Sequence, residues 1–239
     1  MNAQKIAVVT GANRGLGLET ARQLARMGIH VILTARNQRT GAEALDQLKQ
    51  EKLPVELRKL DVNSSDDAQS LARYIREQYG HLDILVNNAG IFPESSSERG
   101  AKSANPLEVS PTILMEIFNT NTLGAVRLIQ ALAPLLREGG RIVNVSTGMA
   151  ALHDMGGSYL GYRMSKTALN AATRVFASDL ASRHISVNAV DPGWVKTAMG
   201  GPNASRSTEQ GVATIVWLAT ATEATDSGCF WRDQRKLAW

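Results

Sequence analysis

Short apolar runs rich in β-branched residues alternate along this chain with longer segments whose apolar residues recur at helical spacing. The seven runs are Ile6–Thr10, Val31–Ala35, Val55–Asp61, Ile84–Asn88, Arg141–Ser146, Ser186–Asp191 and a weaker one at Cys229–Trp231. Strands that alternate with helices form a parallel sheet with helices on both faces. No linker or internal repeat divides the chain. The pattern predicts one α/β domain of the doubly wound Rossmann type over residues 1–239, with a seven-stranded, mostly parallel sheet.

Composition excludes several other classes of protein. The chain has 239 residues, 44% of them hydrophobic and 20% charged, which is the balance of a soluble globular protein. Its net charge of +4 comes from dispersed basic residues without a run, so a nucleic-acid partner is not expected. The four histidines lie far apart, and a single cysteine allows neither an intramolecular disulfide nor a thiolate pair for a metal. The apolar run Ile6–Val9 is too short for a signal peptide or membrane span, so a cytoplasmic location is expected.

Local signals predict several boundaries between elements. Ser110-Pro111 is typical of a helix start, and this helix is expected to lead towards Leu136 and to end at Gly139-Gly140. Ser207–Gln210 has the capping-box pattern and predicts a further helix. The polar segment Phe92–Pro111 has no periodicity and is interpreted as a surface loop, which is a candidate for a binding role.

The first strand is followed by a glycine-rich turn, Thr10–Gly17, which leads into a helical pattern. Glycines at such a position let the backbone turn tightly and approach a pyrophosphate, whose charge then lies at the positive end of the helix. The spacing Gly11-x3-Gly15-x-Gly17 differs from the commonest dinucleotide fingerprint. An ordinary glycine turn is the alternative at this point.

The end of the second strand carries a base where NAD-binding proteins usually have an acid. Ala35-Arg36 stands there, and a guanidinium suits a ribose 2′-phosphate through paired, charge-assisted hydrogen bonds. Arg14 in the glycine turn offers a second positive group. Together these residues favour NADPH/NADP over NAD, and the alternative is a surface arginine that follows a strand.

Tyr162 and Lys166 are four residues apart in a helical pattern, so their side chains lie on one face of the helix. A free tyrosine has a pKa of about 10, and a nearby ammonium together with an oxidised nicotinamide would lower it towards the working range. The pair is a candidate acid–base couple. The alternative is a chance spacing of two common residues.

The order of these motifs resembles that of the short-chain dehydrogenase/reductase family over nearly the whole chain. The motifs are the glycine turn, Asp61-Val62, Asn87–Gly90, Asn121, Asn144–Thr147, Tyr162-x3-Lys166 and Pro192–Thr197. The resemblance implies that Asp61 lies near the adenine, that Lys166 also binds the nicotinamide ribose, and that Asn121 holds a water in a proton relay. It also implies that Pro192–Thr197 closes over the nicotinamide. The implied cofactor residues are Gly11, Asn13, Arg14, Gly15, Leu16, Gly17, Arg36, Asp61, Val62, Asn88, Ala89, Gly90, Tyr162, Lys166, Pro192, Gly193, Val195 and Thr197.

The family orients the substrate carbonyl with a hydroxyl, usually that of a serine, and this chain departs from the pattern. Alignment of the strand motif puts Thr147 at that position, which keeps the same donor and acceptor. Ser146 points to the opposite sheet face if the alternation of side chains persists. Strand ends often break this alternation, so Ser146 stays open as the orienting hydroxyl beside the favoured Thr147.

Within the family, Arg36, the Pro192–Thr197 segment and the tail Cys229–Trp239 most resemble the NADPH-dependent carbonyl reductases. The implied activity is the reduction of an aldehyde or ketone, with Tyr162 as the proton donor and Thr147 as the orienting group. A 3-oxoacyl-thioester reductase of the same family and a non-catalytic NADP-binding sensor or scaffold are the alternatives. The expected partner is a small carbonyl compound. No membrane partner is expected, and the oligomeric state stays open.

Overall fold

The computed structural model describes residues 4–95, 104–221 and 226–239. A single sheet runs through the molecule in the strand order β3-β2-β1-β4-β5-β6-β7-β8. The strands are β1 (Ile6–Val9), β2 (His30–Ala35), β3 (Val55–Lys59), β4 (Leu82–Asn87), β5 (Leu136–Val145), β6 (Ser186–Val190), β7 (Phe230–Arg232) and β8 (Arg235–Leu237). All neighbouring strands are parallel except β7 and β8, which form an antiparallel hairpin. The predicted α/β doubly wound fold is confirmed.

The predicted number of seven strands is wrong by one, because the described residues form a sheet of eight strands. The extra strand, β8, has the sequence Arg-Lys-Leu, and its first two residues are exposed. It lies at the edge of the sheet, so it pairs with β7 alone and its faces do not have to be buried. A strand of this kind lacks the apolar run that marks the buried strands.

Helices cover both faces of the sheet. They are α1 (Gly15–Arg26), α2 (Gln38–Gln50), α3 (Ser65–Gln78), α4 (Pro111–Phe118), α5 (Gly124–Leu132), α6 (Leu160–Asp179) and α7 (Thr208–Thr220). One apolar layer joins β1 and β2 to α1 and α7 through residues such as Val9, Leu24 and Ile215. The other layer joins the sheet to α3 and α5 through residues such as Ile75 and Leu128. No helix within the described ranges is both long and apolar enough to cross a membrane.

Several helices begin where the sequence predicts. Ser110 accepts a hydrogen bond from the Ile113 amide at the start of α4, and Ser207 and Gln210 form the predicted capping box of α7. The predicted helix that starts at Ser110-Pro111 and leads towards Leu136 is helical as expected, through α4, a π-helical turn (Asn119–Leu123), α5 and the 3-10 turn Ala133–Leu135. Its predicted end at Gly139-Gly140 is wrong, because β5 already begins at Leu136.

The predicted stop signal Gly139-Gly140 instead lies inside β5, where the register against β4 shifts. Gly139 has a positive φ of 76°, which suits such an irregularity. The predicted surface loop Phe92–Pro111 lies partly outside the described residues, which omit 96–103. Its described beginning contains the short 3-10 turn Pro93–Ser95.

Candidate active site

A cavity of about 1460 Å³ opens where the carboxyl ends of β1, β4, β5 and β6 meet. In doubly wound sheets this edge, beside the reversal of strand order at β1 and β4, is where ligands bind. All the predicted cofactor residues line the cavity: Gly11, Asn13, Arg14, Gly15, Leu16, Gly17, Arg36, Asp61, Val62, Asn88, Ala89, Gly90, Tyr162, Lys166, Pro192, Gly193, Val195 and Thr197. Ser146 and Thr147 line it too, whereas Asn121 is not part of its lining. The fold therefore brings distant motifs to one place.

The glycine turn is shaped for close approach by a ligand. Gly11 and Gly15 have positive φ angles of 62° and 56°. A Cβ at Gly17 would lie only 2.5 Å from the Gly11 carbonyl oxygen. The side-chain Nδ2 of Asn88 stabilises the turn by donating to the Thr10 carbonyl oxygen at 2.8 Å. Only glycine fits these positions without a shift of the backbone.

The start of α1 offers unpaired amides towards the cavity. Arg14 occupies the N-cap position without a side-chain cap, and the first turn contains no acidic residue. The free N–H groups and the positive end of the helix dipole together attract an anion. Arg14 and Arg36 are exposed and border the same cavity. This end of the site is therefore built for negative charge.

Tyr162 is the third residue of α6 and is 8% exposed. Its ring stacks on that of Phe92, with 4.0 Å between the centroids. Burial, and next the negative charge of Asp191, raise the pKa of the Tyr162 hydroxyl. The sequence suggested a lowered pKa beside an ammonium and an oxidised nicotinamide, but in the chain alone the opposing effects dominate. The hydroxyl therefore stays protonated at neutral pH, which is the form that donates a proton.

Lys166 lies one turn further along α6 and is 4% exposed. Its Nζ donates to the Val145 carbonyl oxygen at 2.7 Å, at the end of β5. Gly90 lies opposite, where a Cβ would come within 3.5 Å of the Nζ. Burial lowers the pKa of Lys166 from 10.5 to about 8. A buried ammonium therefore remains the main form at pH 7, at a cost to folding.

We expect Lys166→Met to raise the thermal midpoint of the ligand-free protein at pH 7. Below pH 8 the lysine is charged in both the folded and the unfolded chain. Burial of the charge then lowers the free energy of unfolding by its full amount, up to about 3 kcal/mol. Loss of the bond to Val145 offsets part of this gain. Between pH 8 and 10.5 the unfolded chain binds more protons, so the wild type gains stability as the pH rises. The difference between the two melting curves, measured by calorimetry, should shrink across that window. A variant that melts below the wild type at pH 7 would contradict the account.

The hydroxyls of Ser146 and Thr147 have different surroundings. Ser146 is 2% exposed, and its Oγ donates to Asn170 Oδ1 at 2.7 Å. Thr147 is half-buried in the cavity wall, and its Oγ1 accepts from the Met149 amide at 3.3 Å. A hydroxyl that accepts through one lone pair keeps its proton and a second lone pair for another partner.

Asn121 lies in the π-helical turn behind the cavity and is 1% exposed. Its Oδ1 accepts from the Ile91 amide at 2.7 Å, and its Nδ2 donates to the Ile91 carbonyl oxygen at 2.9 Å. Nδ2 also lies 3.1 Å from Ser165 Oγ in α6. The side chain thus ties the segment after β4 to the helix that carries Tyr162. π-helical turns often occur at functional sites.

An ion pair that the sequence analysis missed borders the same cavity. Asp191, which follows β6 and is 2% exposed, pairs with Arg232 at the end of β7. Asp191 also accepts a hydrogen bond from the Gly193 amide at 2.9 Å. A Cβ at Gly148 would come within 2.8 Å of both partners, so the pair packs on the backbone next to Thr147. The position of Asp191 at a strand's carboxyl end was an available signal, whereas nothing local indicated Arg232.

Glu94 is a further residue that the sequence analysis missed. It is 3% exposed, and its two carboxylate oxygens accept from the Gly161 amide at 3.0 Å and the Tyr162 amide at 2.7 Å. A buried carboxylate in a segment expected to be a polar surface loop had no signal in the sequence pattern.

Comparison with known proteins agrees with this geometry. Residues 5–208 match the family model described as short chain dehydrogenase. Short-chain dehydrogenase/reductase 1 of Saponaria officinalis is 34% identical, covering 95% of this chain and 94% of its own. Carbonyl reductase [NADPH] 1 of Sus scrofa is 30% identical, covering 98% of this chain and 94% of its own. The structure of NADPH-bound carbonyl reductase from chicken fatty liver superimposes with a TM-score of 0.85 at 28% identity, covering 99% of both chains. The chain belongs to the short-chain dehydrogenase family.

Proposed function

We propose that this protein is an NADPH-dependent carbonyl reductase that reduces aldehydes or ketones to alcohols. The observation that supports it most is the conjunction, in one cavity, of a glycine turn at a free helix start, two arginines and the Tyr162–Lys166 pair. Relatives named as NADPH carbonyl reductases over nearly the full length of the chain support the same activity. An acyl-thioester substrate has no comparable support among them.

The residues of the cavity fit NADPH. Gly11 and Gly17 leave room where a Cβ would strike the backbone, so a pyrophosphate can lie against the start of α1. Arg14 and Arg36 would hold the 2′-phosphate, and Asp61 with Val62 would border the adenine. The segment Pro192–Thr197 would cover the nicotinamide. When bound, NADPH supplies the hydride that reaches the carbonyl carbon.

In the proposed mechanism Tyr162 donates its proton to the carbonyl oxygen as negative charge develops there. Thr147 donates a hydrogen bond to the same oxygen and fixes its direction. The Lys166 ammonium stabilises the tyrosinate left behind and binds the nicotinamide ribose. Asn121 keeps the segment after β4 against α6. By resemblance to the family, it would hold a water in the relay that replaces the proton. The hydrogen bond from Ser146 to Asn170 favours a structural role for that hydroxyl.

The substrate end of the cavity favours a fairly apolar carbonyl compound. Met149, Ala151, Trp194, Met199 and Leu237 contribute apolar surface there. Leu237 comes from the hairpin of β7 and β8, so the tail Cys229–Trp239 contributes to the substrate end. We further propose that the whole chain, 1–239, is one NADP-binding domain that works in the cytoplasm, where its single cysteine needs no disulfide partner.

A screen of NADPH oxidation across aldehydes, ketones, quinones and acyl thioesters tests this function. Turnover with aldehydes or ketones that exceeds turnover with thioesters is the expected result. Faster turnover of 3-oxoacyl thioesters would assign the chain to the other activity. Tight NADPH binding without reduction of any carbonyl would indicate a sensor.

We expect Arg36→Ala to weaken NADPH binding about 10- to 100-fold and to leave NADH binding nearly unchanged. Hydrogen bonds to a charged group contribute about 1.5–3 kcal/mol, and only NADPH carries the 2′-phosphate. Fluorescence titration of both dinucleotides gives the two dissociation constants. Arg39→Ala is the matched control, because Arg39 is an exposed arginine nearby that pairs with Glu43 and does not line the cavity. Equal losses of affinity for NADPH and NADH would show that Arg36 does not bind the 2′-phosphate.

A further inference from the structure

The first turn of α6 lacks the kind of cap that most of its neighbours have. Asn37, Ser64, Ser110 and Ser207 each accept a backbone amide at the start of their own helix. The N-cap position of α6 is instead occupied by Tyr159 in the left-handed region, with φ 55° and no side-chain bond. The first amides of a helix have no partner within it, so α6 needs an acceptor from elsewhere.

Glu94 supplies that acceptor from a segment 67 residues earlier in the chain. One carboxylate oxygen bonds the amide of Gly161 and the other bonds the amide of Tyr162. These are the second and third residues of α6, whose amides an N-cap side chain ordinarily bonds. The negative charge also lies at the positive end of the helix dipole. The carboxylate therefore fixes the backbone of the proposed proton donor directly.

The same short segment also holds the ring of Tyr162. Phe92, two residues before Glu94, stacks on the Tyr162 ring with an angle of 22° between the planes. It meets Tyr159 edge-on at 5.1 Å between centroids. Tyr162 is thus held at its amide by Glu94 and along its ring by Phe92. Glu94 does not line the cavity, so it does not itself contact a ligand there, and its carboxylate bonds run to the amides of Gly161 and Tyr162.

We propose that Glu94 is a positioning residue for carbonyl reduction, which keeps the Tyr162 hydroxyl within reach of the substrate oxygen. This inference rests on the proposed function, in which Tyr162 is the proton donor. A cap supplied by the neighbouring residue would stabilise α6 but would not join it to another segment. The buried Glu94 carboxylate instead joins the segment after β4 to the first turn of α6, which carries Tyr162. Loss of these hydrogen bonds lets the first turn fray and moves the Tyr162 hydroxyl.

The test is a double-mutant cycle of Glu94 and Tyr162, because positioning and simple stabilisation predict different couplings. Glu94→Ala should lower kcat about 10- to 100-fold, since a displacement of about 1 Å can cost about 10²-fold. KM and the NADPH dissociation constant should stay close to the wild-type values. Glu94→Gln, which keeps the size and one acceptor, should show a smaller loss. In the Tyr162→Phe background neither change should lower the residual rate further.

Ser110→Ala is the matched control, because it removes the cap of α4, which packs beside α6, without touching the site. It should lower the thermal midpoint and leave kcat unchanged. A near-normal kcat in Glu94→Ala, or an equal loss in both Tyr162 backgrounds, would overturn the positioning role alone. If Glu94→Ala does not fold, Glu94→Gln decides by the same two criteria. Near-normal turnover in Tyr162→Phe itself would instead overturn the role of Tyr162 as the proton donor, on which this inference rests. Absence of carbonyl reduction in the wild type would overturn the proposed function.

Discussion

Tyr162→Phe is expected to lower the turnover of carbonyl reduction by about 10²- to 10⁴-fold at saturating NADPH. A positioned acid typically contributes this range, and phenylalanine keeps the ring while it removes the proton that the carbonyl oxygen receives. The stack on Phe92 survives, so the thermal midpoint should stay near that of the wild type. Steady-state kinetics and an NADPH titration measure the two properties separately.

Tyr159→Phe is a suitable control for this variant, because Tyr159 also contacts Phe92 but does not line the cavity. Its turnover should remain near normal. If Tyr162→Phe keeps wild-type turnover while it binds NADPH normally, another group donates the proton. The assignment of the dinucleotide-binding fold would then remain, but proton donation by Tyr162 would be wrong.

Thr147→Val should lower kcat, whereas Ser146→Ala should lower the stability of the fold. Thr147→Val removes a hydrogen bond to the developing charge on the carbonyl oxygen, and losses of this kind cost about 10²- to 10³-fold in kcat. Ser146→Ala instead leaves Asn170 Oδ1 without the hydrogen bond from Ser146, which costs about 1–3 kcal/mol of stability. Kinetics and thermal unfolding of both variants give the comparison. A large loss of kcat in Ser146→Ala with normal Thr147→Val would show that the two hydroxyls have the reverse roles.

The sequence could predict the parts of the fold that local pattern determines. Buried parallel strands such as β1 and the centre of β4, Ile84–Val86, are continuous apolar runs because both faces are covered. The charged edge strand β8 has no such constraint, so its three residues carry no signal. Gly139-Gly140 looks like a helix stop in isolation, but it lies inside β5, between the residues Leu136 and Arg141 that pair with β4.

In the candidate site, too, the sequence predicts the features that depend on local spacing and misses those that depend on long-range contacts. The glycine turn and the pair Tyr162 and Lys166 are recognisable because their function depends on short spacings within one element. The contact between Glu94 and Gly161 spans 67 residues, and the pair Asp191 and Arg232 spans 41. Such pairs arise only when the sheet brings strand ends and loops together. Local sequence therefore cannot reveal them.

Transfer of deuterium tests the central claim most directly. The protein is given NADPH labelled with deuterium at C4 of the nicotinamide and a ketone that the screen identifies, and the alcohol is analysed by mass spectrometry. The account predicts that the alcohol carries deuterium on the former carbonyl carbon when the transferred position is labelled. It also predicts one alcohol for each NADPH consumed. Consumption of NADPH without alcohol, or alcohol without deuterium from either labelled face, would contradict carbonyl reduction at this site.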